Sequence, residues 1–458
     1  MHLRRDAMDV FGVDVNTSSN MREWIEQWDK ITEGNPMWID AEDDVKSYNF
    51  AQFIDDVTSG LVTLDLGIHL PEGPRGEYLQ GVADYLFQTI DTHVSDALGN
   101  AGVMFKPNGK NIDYYRAGEF LPTDWDSNKN ITGCIFVRTL NRGQYIYSKY
   151  EYHRFSDNGL YAISNRAYVS KSANSKGDAC SLEEVPEWSD LIPDVYLDGV
   201  EIPLFAYYGN PKPNIYDRNT PLKSPIWGNC LEELRDLDIA LSRKSTEVED
   251  SKHITFVPEQ AVMYARTHGS TLPRFVKGLQ MNSGGIGNDK VDEHTATLLT
   301  TDRIADINSI LALISTKLGY DQGFFVLNER TGAITATQVE ADDQSTIRTV
   351  KNLRDPLKNT IVNLLYGANV FADLYTDLPV EDWTSTYKRI KDTVEPSMSF
   401  GDITYSYEED KAAWWKYRIQ GDVPAWRYYV KFEGMSEDEA RAMVEEAAPK
   451  RRTLFGEE

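Results

Sequence analysis

The sequence predicts an α+β protein with a helical beginning, an antiparallel β middle and a helical second half. Three observations predict it. Apolar residues recur at helical spacing in several separate windows, the period changes to that of strands between Gly102 and Lys171, and helical spacing returns after Trp227 and persists. The 458 residues allow two or three domains, and 41% hydrophobic with 26% charged residues is the composition of a globular chain.

From Met21 to Gln52 the chain is acidic and rich in Trp, and Trp24, Ile25, Trp28 and Ile31 share one face of a short amphipathic helix. A second helix is expected over Gly81 to Leu98, where Val82, Leu86, Ile90, Val94 and Leu98 stand four apart. Between Gly102 and Lys171, aromatic and β-branched runs are separated by Pro107-Asn108-Gly109, Asn141-Arg142-Gly143 and Asp157-Asn158-Gly159. Each is a hairpin signal, so an antiparallel meander is expected, with Leu160 to Val169 pairing back on Gln144 to Phe155. Five prolines between Pro203 and Trp227 predict an extended, irregular connector lying on the surface of its neighbours.

Cys230, Leu234, Leu237, Leu241 and Val248 then form a narrow apolar seam on a helix. His253 to Thr300 is mixed, with a short strand at Ile254 to Val257 and a glycine-rich loop at Ser283 to Asn288. The next helix starts at Thr301 as N-cap and aligns Ile304, Ile307, Leu311, Ile314 and Leu318, with Ile310 widening the face. After a loop from Gly319 to Ala333 comes the longest helical pattern, carrying Val339, Ile347, Val350, Leu353, Leu357, Ile361, Leu364 and Ala368. Pro356 stands inside it and cannot donate to the carbonyl of Asn352, so a kink is expected there. The chain closes with a β-like run at Ser397 to Tyr407, an aromatic helix around Trp414 and Trp415, and a final helix with Ser436 and Glu439 as capping box.

The charge balance is 47 Lys+Arg against 72 Asp+Glu, formally -25, the opposite of what gripping phosphates requires. An acidic wall would let a duplex slide past, and acidity equally serves solubility. No run approaches the roughly 18 to 20 apolar residues of a bilayer span, and no apolar signal core follows Met1, so no membrane partner is expected and synthesis in the cytoplasm is. Cys134, Cys180 and Cys230 are too far apart for a CxxC site and read as small hydrophobes.

Catalytic signatures are absent: there is no GxxxxGK[ST], GxSxG, HExxH or DxDxDG, and Gly284 to Gly287 lacks the Lys-Ser/Thr of a phosphate cradle. Glu151 and His153 share a strand face, but no third ligand follows at useful spacing, so His153 reads as a structural histidine. Asp342-Asp343 and Glu408-Glu409-Asp410 suit helix starts better than acid–base pairs. The expectation is a protein that is not an enzyme, with no catalytic residue, no metal and no cofactor.

Four passages, in order, resemble the portal proteins of long-tailed phages of Gram-positive bacteria. The first is Tyr145 to Phe155 with its Glu151-x-His153, followed by Tyr161-x-Ile163-x-Asn165-x-x-Tyr168. The second is the connector Asn219 to Gly228 leading into the Leu231 to Val248 helix. The third is Leu318-Gly319-Tyr320, Gly323-Phe324-Phe325 and Thr335-Ala336-Thr337-Gln338-Val339-Glu340, where Gln338 departs from the family's usual Glu. The fourth is Gly401-Asp402-Ile403 with Gly434 to Ala440 near the end. Together they cover most of the chain after about Gly102.

The resemblance implies the portal fold: a β-rich wing, helical stem, small α/β clip, long kinked helix and helical crown, in a homo-oligomeric ring normally of twelve subunits. It implies a wing at 1–228, stem helices at 229–252 and 301–318 around a clip at 253–300, and a tunnel loop at 319–333. A long kinked wing helix would follow at 334–378, a return to the wing at 379–407, and the crown at 408–458. Double-stranded DNA would pass through the channel, with terminase, the head–tail adaptor, and the major capsid and scaffolding proteins as partners, and the ring would sit at one vertex of the virion. Gln322, Asn328 and Arg330 would be the channel-facing polar residues of the loop, and Pro356 the kink. Two other readings stay open: another phage head or tail structural protein, which lacks the helix, clip, helix order, and an envelope-glycan hydrolase, which needs two convergent carboxylates.

Overall fold

The computed structural model describes residues 2–15, 17–40, 44–109, 111–172, 175–250, 254–258, 263, 267–268, 276–279, 292–294, 299–327, 344–384, 397–401, 414–416, 418, 424–433 and 435–447. They fall into two compact units, Met1–Ser399 and Phe400–Glu458. The class is mixed α+β, as expected.

In chain order the first unit contains α1 (His2–Phe11), α2 (Ser19–Thr32), α3 (Phe50–Thr63), β1 (Gly67–His69), α4 (Pro74–Phe87) and α5 (Ile90–Gly99). The strands β2 (Val103–Asn108), β3 (Asn111–Arg116), β4 (Phe120–Trp125), β5 (Ile131–Arg142), β6 (Tyr145–Phe155), β7 (Tyr161–Ser170), β8 (Asp178–Cys180), β9 (Asp194–Leu197) and β10 (Ala206–Tyr208) follow. Then come α6 (Leu231–Asp250), β11 (Ile254–Pro258), β12 (Val276–Leu279), β13 (Asp292–His294), α7 (Thr300–Leu318), α8 (Gln344–Tyr375) and β14 (Ser397–Ser399).

Helix α2 forms where the apolar spacing places it: the Ser18 hydroxyl accepts from Met21 N, and Met21, Ile25, Trp28 and Ile31 are buried. The stripe from Val82 to Leu98 is buried throughout, but two helices carry it rather than one. Thr89, at φ -137° and ψ 6°, leaves the helical region, and its hydroxyl donates to the Tyr114 hydroxyl at 3.2 Å. A stripe of i, i+4 residues survives such a break because both pieces face the same core, which is why periodicity alone did not reveal it.

The meander also divides. Strands β10-β2-β3 make one sheet, and β4-β5-β6-β7-β8, with β9 on the other part of β7, make a second. The chain changes sheets at Gly118, whose φ of 98° a side-chain-bearing residue would resist. All three hairpin signals lie between antiparallel neighbours, in the β2–β3, β5–β6 and β6–β7 turns.

The proline-rich connector is irregular as expected; its middle, with Lys212, Pro213, Ile215, Arg218 and Asn219 exposed, lies on the surface, but its two ends do not. Leu204, Phe205, Leu222, Ile226 and Trp227 are all buried, and Ala206–Tyr208 pairs with β2. Two buried asparagines replace a ladder for its backbone. Asn210 Nδ2 donates to the carbonyl of Ser224 at 3.0 Å while its Oδ1 accepts from Lys212 N, and Asn214 does the same with Leu222 O and Tyr216 N.

Buried polar groups join elements distant in sequence. The Arg75 side chain is fully buried and donates to Asp373 Oδ1 at 2.6 Å and to the carbonyls of Leu378, Asn369 and Pro379, tying α4 to the end of α8. Asp55 is likewise enclosed, accepting from Trp227 Nε1 at 2.9 Å. Burial raises its carboxyl well above the ordinary value of 3.8, against the opposing Trp227 bond and with Asp56 and Asp96 adding to the rise. A raised folded pKa favours the neutral acid, so this contribution to stability is present at low pH and is lost as pH climbs through the raised value. Asp55→Asn, neutral at every pH, is expected to remove that part of the slope. Melting temperatures at pH 4.5 and 7.5 check it, and parallel slopes for the two proteins would refute it.

In the second unit, α9 (Ala425–Glu433) packs against α10 (Glu437–Ala447), and the rings of Trp414 and Trp415 meet those of Phe432 and Tyr428 of α9 at 6.0 Å and 5.3 Å. The expected capping box is present: Glu439 N donates to Ser436 Oγ, and Ser436 N donates to Glu439 Oε2.

Candidate functional site

The expected site begins on the helix pair α6 and α7. The pair is antiparallel, since Lys317 binds Glu233 at 2.6 Å at one end and Arg303 binds Glu247 at 2.9 Å at the other. Leu234, Leu237 and Ala240 of α6 and Ile307, Leu311, Ile314 and Leu318 of α7 are buried. Val248 of the expected seam stays outside at 52% exposure, and Leu313, which is not on the expected face of α7, is 47% exposed. Thr301 is not the N-cap. The helix starts one residue earlier, and Leu299 in the cap position donates its N–H to Glu247 Oε1 at 2.7 Å. A carboxylate from the neighbouring helix thus does what a local hydroxyl was expected to do. Between α6 and α7 in the chain, β11 pairs parallel with β12 and antiparallel with β13.

After α7 the described part of the expected loop, 319–327, is tied down at nearly every residue. Gly319 closes the helix in the left-handed conformation, φ 92°, and the N–H groups of Gly319 and Tyr320 return to Ser315 O. The Thr349 hydroxyl of α8 donates to Gly319 O, and Asp321 N donates to Thr346 Oγ1 at 3.1 Å. Phe325 N donates to Ser315 Oγ, Leu327 N to Asn308 Oδ1, and Tyr320 OH shares a 2.6 Å bond with Thr58 of α3. Phe325 packs edge-on against Tyr320, Phe324 and Phe50. Gly319 therefore serves as the C-terminal cap of α7, a use that its place after an apolar stripe and Lys317 fits.

Of the expected channel residues, Gln322 is exposed in the turn 322–325. Asn328 and Arg330 lie outside the described residues, as do Val339, Asp342-Asp343, Ser283 to Asn288 and Glu408-Glu409-Asp410. Pro356 stands inside α8, which runs unbroken from Gln344 to Tyr375. The Thr360 hydroxyl lies 3.0 Å from both Pro356 O and Tyr207 O, and Tyr208 OH donates to Leu353 O, so the helix is pinned to β10 on both sides of the proline.

Glu151 and His153 form a closed polar core between the two sheets. Glu151 Oε2 accepts from Lys106 at 2.7 Å and Lys149 at 2.8 Å, and Oε1 from His153 Nε2 at 2.8 Å. On the other side, Tyr161 OH accepts from Leu204 N, so its proton goes to His153 Nδ1 at 2.9 Å. This assigns the neutral tautomer with hydrogen on Nε2. Burial lowers the His153 pKa despite the opposing Glu151. For Glu151 burial alone would raise the carboxyl, but the two lysines and the histidine hold it well below its ordinary value. Lys106 from one sheet and Lys149 and His153 from the other converge on the one carboxylate, so the cluster ties the two sheets together. Sequence reading identified the pair Glu151 and His153 but had no signal for Lys106, which comes from the other sheet.

Among the described residues, no three His, Cys, Asp or Glu side chains gather as a metal site, and no helix is long and apolar enough to cross a membrane. A comparison against protein families finds no match for this chain, and a comparison against curated proteins finds none either.

Proposed function

We propose that the chain is a portal protein, one subunit of a ring through which double-stranded DNA is packed into and released from a phage head. The observation that carries the reading is the order of elements. An antiparallel helix pair brackets a small sheet, and a tethered turn then leads towards a long helix with proline inside it. That order supports the reading because the resemblance implies stem, clip, stem, loop and long helix in the same sequence. Val248 and Leu313, left in water on the helix pair, suit contacts between neighbouring subunits.

In this reading the ring is a conduit. Twelve copies at -25 give 12 × -25, a formal charge of -300, and such a ring cannot hold DNA by counterion release. The work of translocation falls to a terminase, with a head–tail adaptor docking later and capsid and scaffolding proteins around the vertex. The chain itself performs no catalysis and needs no cofactor.

Arg330 is the one positive side chain between Gly319 and Ala333, against Asp321 and Glu329. In the proposal it meets phosphates transiently, with Gln322 and Asn328 as weaker contacts, and a screened contact of this kind adds little binding energy. Changing Arg330 to Ala and to Glu is expected to leave rings intact while lowering the amount of DNA packaged, more for Glu than for Ala. Loss of the rings themselves would move Arg330 to the subunit interface and overturn its assignment to the channel.

A further inference from the structure

A cleft with about 330 Å³ of free space lies where the end of α7, the connector and α8 meet. Its walls are mostly apolar, formed by Pro211, Ile226, Leu318, Tyr320 and Leu353. Its size falls in the range of small-ligand sites. One charged group lines it, Lys212, whose Nζ donates to Leu318 O at 3.0 Å. An ammonium has three hydrogens, and that carbonyl uses one. Among the described residues no carboxylate stands within ion-pair distance of Lys212, in a chain with 72 acidic residues. Lys212 is itself exposed, and the partial burial of its side chain lowers its pKa, with Cys230 opposing. Asn352, whose carbonyl cannot accept from Pro356, lines the same cleft.

We propose that this cleft binds a small amphiphilic anion, a carboxylate or sulfonate on a compact apolar body, with the anionic end on Lys212 and the body against Leu318, Tyr320 and Leu353. The proposal stands on the cleft alone and does not require a ring. Leu318 and Tyr320 come from the end of α7 and the turn after it and Thr349 and Leu353 from α8, so an occupant would add to the hydrogen bonds that already tie that turn to α8.

The test uses the full chain and two fluorescent probes of similar shape, anilinonaphthalenesulfonate and the uncharged phenylnaphthylamine. Wild type is expected to bind the sulfonate, and Lys212→Met to weaken it at least about tenfold while binding the neutral probe unchanged. Lys212→Arg is expected to restore the sulfonate to within about threefold. Equal sulfonate affinity in wild type and Lys212→Met, or no binding up to millimolar probe, would overturn the proposal. Parallel weakening of both probes would overturn it too, since Lys212 would then only cap α7 and hold the wall in place.

Discussion

Glu151→Gln is expected to destabilise the first unit by about 3 to 5 kcal/mol, because it removes the only formal charge that Lys149 and His153 address and the nearer of two that Lys106 addresses. Gln keeps the shape and one carbonyl oxygen, so the loss reports charge rather than packing. Lys106 retains Asp113 at 3.6 Å, but Lys149, at 8% side-chain exposure, is left without a counterion among the described residues. Adding Lys149→Met to Glu151→Gln is therefore expected to recover part of the loss, a non-additivity that a cavity or a lost contact would not produce. Denaturant midpoints of the wild type, the single variant and the double variant decide it. A Glu151→Gln protein within about 1 kcal/mol of wild type would mean that water reaches the cluster and that it does not lock the two sheets.

Pro356→Ala is expected to raise the melting temperature and yet to cut DNA packaging severalfold. Alanine supplies the N–H that Asn352 O lacks and removes the ring from the preceding turn, together worth about 1 to 3 kcal/mol where the surroundings allow the helix to straighten. The anchors of Thr360 to Tyr207 and of Tyr208 to Leu353 remain in the variant, so any change of the helix axis at the proline falls on the part before residue 352, which carries Thr346 and Thr349 and through them the turn after α7. If the proposed channel function depends on that movement, a stiffer helix impairs it. A variant that melts higher and packages at the normal rate would show that the proline has no mechanical role.

How much of this was legible follows from the kind of signal each feature leaves. Stripes such as Met21 to Ile31 and Ile307 to Leu318 are local, and their helices are found within a residue or two of the expected ends. Hairpin turns at Gly143 and Gly159 are local as well, because backbone conformation demands glycine there. What failed was decided by partners outside the local pattern. Glu247 capping α7 and Lys106 completing the Glu151 cluster join residues about 50 apart in sequence, and the Asn210 and Asn214 bonds that bury the ends of the connector, though only 14 and 8 residues apart, leave no periodic signal. Helix α1 and the full extent of α3 escaped notice too, since polar and small residues such as Asp55, Thr58 and Ser59 occupy the buried face of α3. For the expected site, the helix pair and Pro356 were legible, whereas the tethering of 319–327 by Thr346, Thr349, Asn308 and Ser315 was not.

The central claim is that the chain closes into a ring, and negative-stain imaging of the purified protein at micromolar concentration and moderate salt tests it most directly. The account predicts hollow rings with a central channel, about 624 kDa for 12 × 52.0 kDa, because the α6 and α7 pair leaves apolar side chains in water that a neighbouring copy would cover. Uniform particles of a single 52.0 kDa chain, with no rings at any salt concentration tried, would contradict it.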